Sequence, residues 1–157
     1  MMEFLGSVEG SAFSTWLRES SSIWAYPTVL TLHTVGLAVL VGANWALDLR
    51  VLGLSRAIPL DALASSFRIM WIGFWINAVS GVMLFAADAT TKGTTTLFMG
   101  KLALITAAVA AMVAIKRLLY GRKARAGGAT RSAKVLAAAS LVLWVGAIAA
   151  GRLMAYI

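Results

Sequence analysis

The stretch that most constrains this chain runs from Tyr26 to Arg50, YPTVLTLHTVGLAVLVGANWALDLR. From Pro27 to Leu47, 21 residues pass with one titratable side chain, the imidazole of His33. About 20 apolar residues in a helix cross the hydrocarbon core of a bilayer. A titratable group at that depth is costly to bury, so it marks a functional-site candidate by default. His33 is the only histidine in the chain.

The rest of the composition agrees with a membrane protein. Of 157 residues, 61% are hydrophobic and 13% charged, whereas soluble domains have about 45–50% apolar and about 25% charged residues. Cysteine is absent, which excludes disulfides, thiolate metal sites and cysteine nucleophiles. A net charge of +8 would suggest a nucleic-acid partner. However, the basic residues sit at span ends and in one loop, where membrane topology accounts for them, and no nucleic-acid partner is expected. The start, MMEFLGSVEG, has no Lys or Arg before Arg18, so no cleavable signal is expected.

We expect one all-α domain, an integral membrane antiparallel four-helix bundle over residues 23–157, after a 1–22 tail with room for an interfacial helix. In that tail Ser11 or Ser14 can cap a helix, and Phe13, Trp16 and Leu17 share a face. The spans fall at about 27–47, 67–87, 97–119 and 133–154. Pro27 suits a first helical turn, and Trp24 and Tyr26 suit the headgroup belt. The first span is expected to end near Asp48 and Arg50. Pro59 followed by LDAL can open a short helix before the second span. The threonine-rich DATTKGTTT reads as a turn, and residues 116–134 as a basic lipid-facing loop.

Ten of the 14 Lys and Arg residues fall on one side of this arrangement. The side richer in Lys and Arg is cytoplasmic, so both termini face out, in a bacterial inner membrane. Short connections favour antiparallel neighbours. Gly73, Asn77 and Gly81 recur at four-residue steps, as do Gly146 and Ala150, and small residues at this spacing let helices pack closely. The same surfaces could hold a homo-oligomer or partner membrane proteins besides the lipid bilayer.

His33 shares its helical face with Gly36, Leu37, Leu40 and Asn44. The outer halves of the other spans carry Met83, Asp88, Met99, Lys101, Arg152 and Met154. One reading is a b-type haem. His33 would ligate iron as the metal ligand, Met83 or Met154 could complete it, Gly36 would leave room for the porphyrin, and Lys101 and Arg152 would meet the propionates. Alternatively, His33 makes an interhelical hydrogen bond to Asn77, Ser80 or Thr34, or it carries protons along a polar line with Asn44 and Asn77. Asp88 reads more simply as a turn residue. No phosphate loop, HExxH motif or internal repeat is present, and no catalytic residue is assigned.

Three segments, WAYPTVLTLHTVGLAVLVG, MWIGFWINAVSGVMLFAADAT and the span opening KLAL, together resemble a family of small bacterial four-helix membrane proteins of uncharacterised function. The resemblance covers about residues 20–120, and it implies a fold without a mechanism. More loosely, an early-span histidine in a four-helix bundle is similar to cytochrome b561-like electron carriers, which would imply haem and a redox role. This chain has one histidine where those carriers use several. A non-catalytic accessory or scaffold subunit and an oligomeric channel or transporter are the competing functions.

Overall fold

The computed structural model describes residues 2–54, 57–121, 129–154 and 156. These residues form helices α1 (Met2–Glu9), α2 (Ala12–Glu19), α3 (Tyr26–Leu52), α4 (Ser66–Ala87), α5 (Ala89–Gly93), α6 (Thr96–Tyr120) and α7 (Arg131–Leu153). There is no strand among them. Four of the helices, α3, α4, α6 and α7, are long and apolar enough to cross a membrane. The middle of the expected basic loop, residues 122–128, lies outside the described residues, as does Arg56, and its two ends belong to α6 and α7.

Local chemistry sets most boundaries. Pro27 occupies the first turn of α3, where its missing N–H is no loss. Thr95 and Thr130 cap α6 and α7 by accepting from the backbone N–H of Phe98 and Ala133. The expected short helix after Pro59 is a 3₁₀ turn, Leu60–Leu63. The polar turn contains the five-residue α5.

One boundary moves. α3 continues through Asp48 and Arg50, where the first span was expected to stop. Asp48 is fully buried, and the Arg50 guanidinium donates to the carbonyl of Ile58. Neither charge therefore needs the helix to end. Gly53 ends it, with φ of 101° and its N–H returned to the Leu49 and Arg50 carbonyls, a left-handed cap that favours glycine.

Side-chain contacts give the order around the bundle. His33 meets α4 at Asn77 and Ser80, and Gly36 meets it at Gly73. α4 touches α6 through Phe67 against Tyr120 at one end and stacked Phe85 and Phe98 at the other. α6 touches α7 through Leu104 at Gly146 and Lys101 at Gly151. α7 returns to α3 through Ser140 and Asn44. Rising numbers on one helix meet falling numbers on the next, so the four helices run up and down as a closed bundle. The core holds Leu40, Leu47, Val51, Phe67, Met70, Met112, Ile115 and Trp144.

The N-terminal residues do more than the expected single interfacial helix. They form two helices, α1 and α2, that pack against α4 and α5. Ser11 caps α2. Leu17 is fully buried with Ala25, Val29 and Ala87, while Phe13 and Trp16 stay exposed. Polar contacts lock this piece to the bundle end. The Glu9 carboxylate accepts from the Thr90 N–H at 2.7 Å and from its hydroxyl, and so caps the start of α5. Arg18 donates to the Ala87 carbonyl at 3.0 Å, which is left free at the end of α4.

Candidate functional site

α3 and α4 cross at glycines. A Cβ on Gly36 would lie 2.7 Å from the Asn77 nitrogen, and one on Gly73 would lie 2.7 Å from the Leu40 nitrogen. Backbones can approach so closely only where side chains are absent. This approach brings His33 against Asn77, Ser80 and Gly81. Gly81 is the floor under the ring, since a Cβ there would sit 3.0 Å from His33 Cε1.

His33 Nδ1 lies 3.0 Å from the Asn77 carbonyl oxygen. A carbonyl only accepts, so Nδ1 carries the hydrogen and Nε2 holds the free lone pair. The Asn77 side-chain amide donates to the His33 carbonyl at 2.8 Å. The same amide nitrogen is 3.3 and 3.4 Å from the two ring nitrogens, nearly equidistant, so it lies over the ring edge between them rather than in line with the Nε2 lone pair. Ser80 lies 3.2 Å from Nδ1, but its hydroxyl is given to the Ile76 carbonyl at 2.6 Å. Thr34, the other proposed partner, turns back to the Leu30 carbonyl.

The outer residues gather only in part. Lys101 is half-buried along Gly151. Arg152 is exposed in the last turn of α7. Met83 packs with the cluster of Leu17, Val29 and Ala87. Met99 is exposed, and the Met154 carbonyl accepts from Lys92 at 2.8 Å. Asp88 pairs with Lys92 at 3.6 Å in the turn between α4 and α6.

These positions bear on the haem expectation. The room assigned to a porphyrin at Gly36 is filled by the backbone of α4, which is the physical reason for that glycine. Met83 is engaged elsewhere. The residues around His33 therefore do not fit a haem seated at Gly36.

A second polar centre lies deeper along α3, and only Asn44 of it was expected. Asn44 Nδ2 donates to Asp48 Oδ2 at 2.6 Å and to Ser140 Oγ at 2.8 Å. All three residues are fully buried. In the sequence Asp48 reads as a span end, and nothing singles out Ser140. A signal for Asp48 existed, because 33, 44 and 48 fall within about 60° on one helical face. For Ser140 no signal existed, since a lone serine in an apolar span is common. Between the two centres Gly36, Leu40 and Gly73 pack without a gap, so the expected polar line is interrupted. The chain matches no protein-family model, and no curated protein or solved structure matches it.

Proposed function

We propose that this chain is a proton-responsive multi-pass protein of a bacterial inner membrane, with both termini outside and His33 as its proton-accepting group. The orientation rests on the ten-to-four split of Lys and Arg. The functional reading rests on one observation: Nδ1–H is committed to the Asn77 carbonyl, which leaves Nε2 basic inside the span.

A proton added at Nε2 would put a new donor within 3.4 Å of the Asn77 amide, itself a donor. The clasp between α3 and α4 would loosen at that point. The facing charges are few: α4 presents none at this level, α6 brings Lys101, and α7 brings exposed Arg152. Because the interior between the two polar centres is packed, a change in the α3–α4 seam is better supported than a proton wire through one copy. An oligomer, a partner protein or lipid would read that change.

The test is a pH titration of isotope-labelled protein in detergent. The Asn77 side-chain resonances should move with the His33 ring, on one shared midpoint. They should stop moving in His33→Gln. Asn77 resonances indifferent to pH would defeat the proposal. A visible spectrum with a Soret band, lost in His33→Ala, would instead make His33 a haem ligand.

A further inference from the structure

The Asn44–Asp48–Ser140 centre has a chemical imbalance that the His33 clasp lacks. Asp48 is fully buried, and among the described residues no cation lies within ion-pair distance of it. One of its oxygens, Oδ2, accepts from Asn44. The other, Oδ1, has no partner, and neither has Asn44 Oδ1. Two acceptors in one buried cluster thus lack partners, and the single Ser140 hydroxyl hydrogen can serve only one of them, while Trp144 Nε1, one turn beyond Ser140 on α7, is a buried donor without an acceptor.

The charged groups on the surrounding helices do not repair this. On α3, Arg50 turns away to the Ile58 carbonyl. On α4, Arg68 lies in the exposed first turn. On α6, Lys116 sits over the Phe67 ring at 5.4 Å, and Arg117 is exposed. On α7, Arg131 and Lys134 are both exposed. An ionised carboxylate buried without a counter-charge is far costlier than its neutral acid, and such groups neutralise instead. The neutralising ligand has to be a cation. Hard metal cations take about six or more oxygens, and this centre offers four side-chain oxygens, two of which already accept from Asn44 Nδ2. A proton needs one lone pair, and it turns one of the two stranded acceptors into a donor.

We propose that Asn44, Asp48 and Ser140 form a proton-binding site in the half of the bundle nearest the C-terminal end of α3. Asp48 is held there as the neutral acid. Uptake adds one proton from water to a carboxylate oxygen and forms one O–H bond; release returns it. Asp48 lies four residues before the end of α3, roughly 6 Å along the axis, so exchange is with the side to which that end faces. The site does not depend on His33: His33→Gln leaves it intact.

The experiment is infrared spectroscopy of the purified full chain at neutral pH, unlabelled and with carbon-13 aspartate. One protonated-carboxyl C=O band should be present, should shift with the label, and should vanish in Asp48→Asn. The other aspartates do not compete, since Asp61 is exposed and Asp88 is paired with Lys92. If Asp48→Asn does not fold, the label shift in the wild-type chain decides alone. Absence of a label-sensitive acid band at neutral pH would overturn the proposal. Stabilisation by Na⁺ but not by choline, lost in Asp48→Asn, would also overturn it, in favour of an alkali cation.

Discussion

Asn77 and His33 hold each other twice: the Asn77 side-chain amide donates to the His33 carbonyl at 2.8 Å, and the Asn77 carbonyl accepts from His33 Nδ1 at 3.0 Å. Each residue thus uses its side chain on the other's backbone. The clasp ties two helices that approach most closely at Gly36 and Gly73. It also fixes the imidazole tautomer, so the packing of α3 and α4 decides which ring nitrogen is left unprotonated.

Asn77→Leu removes both the donor to the His33 carbonyl and the cover over the ring. Interhelical hydrogen bonds in membranes contribute about 0.6–2 kcal/mol. We expect a loss of about that size in unfolding by denaturing detergent. Loss of the folded protein altogether would mean that Asn77 has a larger role than the clasp.

Gly73→Ala places a methyl 2.7 Å from the Leu40 backbone nitrogen, which has no flexible end to move aside. Overpacking typically costs about 1–3 kcal/mol. Gly100→Ala is the matched control, because a Cβ there meets nothing within 4 Å. Thermal unfolding should separate the two variants, with Gly73→Ala lower and Gly100→Ala at or above the wild type.

Glu9 sets a pH dependence at the bundle end. The hydrogen bonds from the Thr90 hydroxyl and N–H, with help from Arg18, hold its carboxyl below the ordinary value of 4.5. A depressed carboxylate stabilises the fold above its unfolded value and loses that contribution as pH falls through the folded value. The wild type should therefore weaken on acidification below about 4.5 relative to Glu9→Gln, and the gap between them should be widest near neutrality. Parallel curves for the two proteins across that window would show that the carboxylate does not carry the contact.

Leu17 has no exposed surface and joins α2 to the ends of α3 and α4. Leu17→Ala should cost about 2–5 kcal/mol if α1 and α2 fold as one unit with the bundle. Limited proteolysis should then release residues 1–22 faster than from the wild type. Phe13→Ala, on the exposed face, should leave the cleavage rate unchanged.

Orientation can be read cleanly because the chain has no native cysteine. Thr91→Cys lies in α5 at one end of the bundle, and Ser132→Cys lies at the start of α7 at the other. A membrane-impermeant thiol reagent added outside intact cells should label the first and spare the second. The opposite pattern would reverse the assigned topology.

By itself the sequence determined the four long helices, their short connections and the asymmetry of positive charge. These depend on span length, apolar content and Lys/Arg position, all of which are local. The seam of α4 at Gly73, Asn77 and Gly81 was also legible, because four-residue spacing puts small residues on one face. Only the tertiary structure decided what met those faces. Gly36 reads equally as space for a ring or for a helix, and the approach of α4 settles which. Asp48 reads as the end of a span, because a charge in sequence looks like an exit from the bilayer. Buried beside Asn44 and Ser140, it is an interior group, since the partner 96 residues beyond Asn44 is supplied by packing alone. Glu9 looked like a tail residue for the same reason: its partner, Thr90, is 81 residues away. A pairing across the bundle leaves no periodicity in either strand of sequence, so it appears only when the helices are brought together.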